Sequence, residues 1–151
     1  MAIWNLGSIN ADLVYNVPHI LAPGETLSST GRTTFMGGKG ANISVAIARA
    51  GSRINHIGAL GPDGGWALQR LMEYGVDTRH IAQIETATGH AIIMVDTQGE
   101  NAILLHAGSN GEVPQTALQT ALSEAQTGDW FVTQNETNLQ RTGASSPTSI
   151  S

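Results

Sequence analysis

Apolar positions along this chain fall into short runs separated by segments whose apolar residues recur at helical spacing, the alternation expected of strand and helix in turn. Residues 2–7 (AIWNLG) read as a first strand. Residues 42–51 (NISVAIARAG) place apolar side chains at Ile43, Ala46, Ile47 and Ala50 and stop on glycine, which predicts an amphipathic helix with a glycine just past its end. The run 54–60 (INHIGAL) predicts a second strand and 65–75 (GWALQRLMEYG) a second helix closed by Gly75. A third helix is expected over 114–125, with proline in its first turn, and a further buried strand over 130–134 (WFVTQ). Two segments break the rhythm: 27–35 (LSSTGRTTF) and 89–108, the latter two apolar runs around DTQGEN, whose turn residues predict a hairpin. The pattern predicts an α/β fold whose parallel sheet carries a small antiparallel β appendage.

Composition narrows the picture without changing it. A chain of 151 residues can bury roughly 70% of its unfolded surface, enough for one core. With 40% hydrophobic and 13% charged residues it is of globular type, and no apolar run reaches membrane-spanning length. Twelve acidic against seven basic residues give a net charge of -5, and the basic residues are scattered, which argues against nucleic acid as a partner. No cysteine is present and residues 1–20 lack a secretory pattern, so a cytoplasmic location is expected. The segment 139–151 (LQRTGASSPTSIS) has no periodicity and reads as disordered or as out-of-frame translation.

Candidate chemistry centres on 37–42, GGKGAN, at the turn into the first helix. It is not a G-x-x-x-x-G-K-[ST] loop, because Gly40 follows Lys39 where a hydroxyl would be needed, and not a G-x-G-x-x-G loop, because position 43 is isoleucine. Glycines there allow a small polar ligand close to backbone N–H groups, with Lys39 and Asn42 as donors; a turn that needs glycine only for packing is the alternative. Asn10 and Asp12, in GSINADL, follow the first strand, at the end where open α/β sheets bind ligands. A carboxylate can accept from two neighbouring hydroxyls and an amide can donate and accept, which suits a polyol, although the pair taken alone is better explained by a turn or N-cap aspartate.

Five motifs in order, GSINAD, PGET, GGKGAN, GALGPDGG and HAGSN, resemble the N-terminal part of the ribokinase family of carbohydrate kinases, most closely its ribokinase branch, over residues 3 to about 138. The resemblance implies a partial doubly wound α/β domain with a small β lid formed by residues about 11–35 and 88–108. It implies that Asn10 and Asp12 hold sugar hydroxyls, that Gly38, Lys39 and Asn42 line the same pocket, and that Glu136 in QNETN is the acidic residue beside the sugar. Ala91 and Ile93 are its candidates for the apolar underside of the lid, with plain strand packing as the alternative. It also implies ATP and Mg²⁺ as cofactors of a full-length member, phosphoryl transfer to a sugar hydroxyl, and a homodimer formed through the lid.

One departure is as informative. The family takes its catalytic base from a glycine-rich G-A-G-D type motif in its C-terminal half, and no such motif occurs here. GALGPD lies before the second helix, so Asp63 is expected to be a turn or N-cap residue, and Asp129 a residue at the start of a strand. No catalytic residue and no metal ligand are therefore assigned. Three readings follow: the sugar-binding half of a ribose kinase cut short by a frameshift or gene-calling error and inactive alone; the same half of a kinase for another sugar, sugar acid or nucleoside; or a non-catalytic sugar-binding module.

Overall fold

Every residue of the strand Ile54–Leu60 is buried, as expected for a central parallel strand covered on both faces. The computed structural model describes residues 1–138; the predicted tail 139–151 lies outside the described residues. In chain order the elements are β1 (Ile3–Leu6), β2 (Asn10–Asn16), β3 (Gly31–Gly37), α1 (Lys39–Arg49), β4 (Ile54–Leu60), α2 (Gly65–Glu73), β5 (Asp77–Gln83), β6 (His90–Val95), β7 (Asn101–His106), α3 (Gln115–Glu124) and β8 (Trp130–Thr133), with a 3₁₀ turn at Gly108–Glu112.

The body is a parallel sheet in the order β5-β4-β1-β8. One face packs on α1 and α2, through Ala41, Val45, Ala67 and Leu71 against Ile54, Leu60 and Ile81. The other packs on α3, through Leu118 and Ala121 against Trp4, Leu6, Ile57 and Ala59. Helices on both faces make the sheet doubly wound. β8 forms an edge, with Trp130 62% exposed, and is latched at its start by Asp129. That carboxylate accepts from the Ala2 N–H at 2.7 Å and the Trp4 indole at 3.0 Å, bonds that lower its pKa to about 2. Asp129 thus does more than open the strand.

The second sheet runs β3-β2-β6-β7. β2 with β3 and β6 with β7 are antiparallel pairs, and the two hairpins join through a parallel β2–β6 pairing, so the appendage as a whole is mixed. Among the described residues, no helix is long and apolar enough to cross a membrane.

Both body helices end where the periodicity stops: Gly51 and Gly75 lie just past α1 and α2, and backbone bonds from Gly51 to Ala48 and from Gly75 to Met72 close the last turns. α1 begins at Lys39, three residues before its predicted start, which shortens the glycine turn. β2 and β5 were not predicted as strands. β5 is an edge strand whose Asp77 and Arg79 face each other as an ion pair at 3.0 Å, and only His80 and Ile81 are buried, so it lacks an apolar signature. Asp63 lies in a turn and does not cap α2, whose N-cap is Gly64; its carboxylate accepts the Thr88 N–H at 2.9 Å, tying the body to the root of β6.

Leu71 is fully buried between α2 and the sheet while its neighbour Met72 is 58% exposed. Leu71→Ala should cost about 2–5 kcal/mol in urea unfolding, and Met72→Ala should change stability by less than about 0.5 kcal/mol. Equal effects would show that α2 does not pack by this face.

Candidate functional site

The glycines of GGKGAN serve a close crossing of two backbones. A Cβ on Gly40, in the first turn of α1, would run into the backbone of Gly7 and Ser8 in the loop after β1, and a Cβ on Gly7 would meet the Gly40 Cα at 2.5 Å. Gly38 has φ 91°, a region that L side chains rarely adopt, and a Cβ there would meet the Ser8 carbonyl at 2.7 Å. No side chain caps α1. Its first-turn N–H groups are met from the crossing loop instead: the Ala41 N–H donates to the Ser8 carbonyl at 2.9 Å and the Gly40 N–H to the Ser8 hydroxyl at 3.4 Å.

Beneath the crossing lies a buried relay whose hydrogen positions follow from its ends. The Gly7 carbonyl can only accept, so His56 Nε2, 3.0 Å away, carries the proton. His56 Nδ1 then accepts from the Ser44 hydroxyl at 2.8 Å, Ser44 accepts from the Asn5 amide at 2.8 Å, and Asn5 Oδ1 accepts from the Gln134 amide at 3.0 Å. Asn5 also donates to the Gly40 carbonyl at 2.8 Å. His56 is fully buried, and burial lowers its pKa to about 4, outweighing the opposing bond to Gly7.

On this base the predicted residues are set at the carboxyl end of β1. Lys39 Nζ donates to Glu136 Oε1 at 2.5 Å, and the Ser8 hydroxyl donates to Glu136 Oε2 at 2.6 Å. Burial pulls the Glu136 pKa upward, but the bonds from Lys39 and Ser8 and the lysine's charge outweigh it and hold it below its usual value. Both Glu136 oxygens are therefore engaged.

Asn10 and Asp12 lie on β2 itself, at the root of the second sheet. Asn10 Oδ1 accepts from Asn110 at 2.7 Å, which leaves its amide hydrogens as the groups it can offer. Asn110 also accepts the Ile9 N–H at 2.9 Å and donates to the Ile9 carbonyl at 3.2 Å. The Asp12 carboxylate lies over Gly37, where a Cβ would collide with it. It makes no hydrogen bond among the described residues, and burial raises its pKa.

Register puts Ala91 directly beside Asp12, and Ile93 beside Val14, so Asp12, Ala91 and Ile93 share one face of the sheet. Ala91 is buried and Ile93 half-buried. Asn42 is exposed on α1, one turn from Lys39, and lines a cleft on the opposite side of the sheet with Ala11 and Leu13. The structure thus brings Lys39, Glu136 and Gly38 around Ser8, and Asn10, Asp12, Ala91 and Ile93 onto β2 and β6, with Asn42 at the border. Sequence reasoning missed Ser8, His56, Asn110 and Gln134. Asn110 stood within a quoted motif, HAGSN, and its polar side chain after an apolar run was the available signal.

The model of the pfkB family carbohydrate kinases matches residues 3–143. The chain belongs to this family. A ribokinase from Haemophilus influenzae is 37% identical over 137 residues, covering 89% of this chain and 45% of that protein. A solved ribokinase from Cryptococcus neoformans, in complex with ADP, is 39% identical, with a TM-score of 0.80 over 95% of this chain and 43% of its own. A ribokinase from Arabidopsis thaliana, complexed with ribose and ATP, is 26% identical, with a TM-score of 0.76 over 91% of this chain and 46% of its own. The chain spans about half the length of the pfkB-family relatives it matches.

The buried His56 gives this site a pH signature. Its folded pKa of about 4 lies below the unfolded value near 6.5, so its contribution is fully present above about pH 6.5 and is lost as pH falls towards 4. The loss amounts to about 3 kcal/mol. Urea unfolding of the wild type and His56→Gln across this range should show the loss in the first and not in the second; parallel curves would refute the buried neutral imidazole.

Proposed function

We propose that this chain forms the sugar-binding half of a cytoplasmic, ATP-dependent carbohydrate kinase whose acceptor is ribose. The observation that carries the reading is Asp12: a half-buried carboxylate with no hydrogen-bond partner among the described residues, beside the donor amide of Asn10. An unpartnered buried carboxylate is costly unless a ligand supplies donors, and adjacent sugar hydroxyls supply two. Family membership and the ribose and ATP bound by the Arabidopsis thaliana ribokinase support the same substrate class.

In the proposed site Asp12 and Asn10 hold ring hydroxyls. Lys39 and Glu136 bound the pocket at the α1 end, with Gly38 admitting the ligand close to the backbone and Asn42 at its border. Ala91 and Ile93 form the apolar underside of the lid. Phosphoryl transfer breaks the bond between the γ-phosphorus of ATP and its bridging oxygen, forms one to the sugar oxygen, and passes the hydroxyl proton to a base. The described residues bring no group of three or more His, Asp or Glu side chains together for a metal ion, and Mg²⁺ commonly needs no more than one or two carboxylates beside the phosphates it accompanies, so no residue is assigned to hold it.

The lid is also the surface proposed for self-association. Ile103, Leu104 and Leu105 on β7 are 56–66% exposed, and Phe35 on β3, at the opposite edge of the sheet, is 55% exposed, apolar surface that a second lid would cover. Leu105→Glu should shift the protein to monomer in sedimentation, and an unchanged sedimentation coefficient would refute the lid interface.

Calorimetry of the 151-residue chain should detect ribose binding without formation of a sugar phosphate from ATP. Asp12→Asn should weaken that binding about tenfold to a hundredfold, as expected for loss of charge-assisted bonds. Ribose affinity unchanged in Asp12→Asn would sink the assignment. Tighter binding of another sugar or a nucleoside than of ribose would move the substrate while keeping the site.

A further inference from the structure

A cleft of about 1050 Å³ lies on the side of the lid sheet away from Asp12, between β2 and β3 and the helices α1 and α2. Strand alternation explains its wall: Ala11 and Leu13 on β2, and Arg32, Thr34 and Met36 on β3, point opposite to Asp12. Helical spacing explains its floor, where Val45, Ala46 and Arg49 come from α1, and Trp66, Arg70 and Tyr74 from α2 and its cap. The size is at the upper end of small-molecule sites.

Its charge is unbalanced. Three of the chain's seven basic residues line it, Arg32, Arg49 and Arg70, each from a different element. Among the described residues neither Arg32 nor Arg49 makes an ion pair. They are steadied by aromatic faces instead, Arg49 over Tyr74 at 4.7 Å and Arg32 over Tyr15 at 6.0 Å. Arg70 has only an exposed contact with Glu73 at 3.9 Å, the kind of surface pair that contributes little. Asp63 is the single acidic residue of the lining, and its carboxylate is already engaged by the Thr88 N–H. An acidic protein has thus gathered three guanidinium groups around a cleft lined by one carboxylate, Asp63, so the lining keeps an excess of positive charge, while Leu13, Val45 and Trp66 offer apolar surface beside them.

We propose that this cleft binds a small phosphorylated molecule, its phosphate held by Arg32 from the lid and by Arg49 and Arg70 from the body, its carbon skeleton against Trp66. Planar guanidinium groups match phosphate oxygens in pairs, and an occupant relieves the mutual repulsion of the three cations. The proposed phosphate contacts are separate from Asp12, because Arg32 faces away from it across the lid sheet and Arg49 and Arg70 lie on the body helices, with Asn42 bordering both sites.

Inorganic pyrophosphate is the probe, titrated into the 151-residue chain by calorimetry. The expected result is saturable binding that weakens as salt is raised. Arg32→Gln and Arg49→Gln should each weaken it about tenfold, and Asp12→Asn should leave it unchanged. Arg32, Arg49 and Arg70 are all exposed, so these variants should keep the wild-type circular dichroism; Arg70→Gln provides an independent third test. No saturable binding at millimolar pyrophosphate, or binding retained in folded Arg32→Gln and Arg49→Gln, overturns the proposal. Loss of binding in Asp12→Asn overturns it too, since the anion would then occupy the sugar site.

Discussion

The contact between the backbones of Gly7 and Gly40 is the constraint on which the site depends. Gly7 closes β1 and Gly40 lies in the first turn of α1, so their approach fixes the angle at which the helix leaves the sheet. It also fixes where β2 departs to build the lid. Side chains at either position would separate the two segments and withdraw the Ser8 carbonyl and hydroxyl from the N–H groups of α1. The same separation would move Ser8 away from Glu136. The Gln134–Asn5–Ser44–His56 relay below has one consistent proton direction, ending on the Gly7 carbonyl, so it holds that loop from beneath. A buried network of this kind, in which only the Gln134 Oε1 lacks a partner among the described residues, orients more than it stabilises, because desolvation offsets most of the gain from each bond.

The two sheets differ in how they are held. The body sheet is covered on both faces, and β4 is buried throughout. The lid sheet depends on its root, where Asn10 and Ala11 bond to Asn110 and the Gly89 carbonyl, and on its parallel seam between β2 and β6. Towards β7 it becomes exposed on both faces, as Ile103, Leu104 and Leu105 alternate in direction yet all face solvent. Hydrophobic burial therefore weakens from the root of the lid to its edge, and the edge is the part that gains most from a covering surface.

Periodicity revealed the elements whose burial is one-sided or complete: α1, α2, α3, β4 and the β6–β7 hairpin. It failed for β5, whose place at the sheet edge lets Asp77 and Arg79 occupy positions that a central strand would fill with apolar residues. It failed for β2 because Asn10, Asp12 and Asn16 interrupt the apolar pattern. Lys39 came from the glycine turn and Glu136 from the resemblance of motifs, and no local rule could have joined residues 97 apart in sequence. Ser8 and His56 were missed for the same reason: each is defined by partners at long range, which the crossing of β1 and α1 brings together, and the partners of Asn110, Ile9 and Asn10, lie about 100 residues before it.

The two carboxylates of the proposed sugar site have opposite environments, and this separates their roles. Glu136 has both oxygens engaged, by Lys39 and Ser8, and its charge is balanced before any ligand arrives. Its capacity to bind a hydroxyl comes only by exchanging one of these bonds, so its main effect is to fix Lys39 over the first turn of α1. Asp12 has the reverse condition: half-buried, without a donor, and shifted towards protonation by burial alone. A ligand hydroxyl there replaces water on a carboxylate that the protein has already partly desolvated, so each new bond is stronger than at the surface. Gly37 opposite Asp12 keeps that space open, since any side chain would fill it. The selectivity of the proposed site for a polyol thus rests on Asp12 and the donor amide of Asn10, with Glu136 and Lys39 setting the wall against which the sugar is aligned.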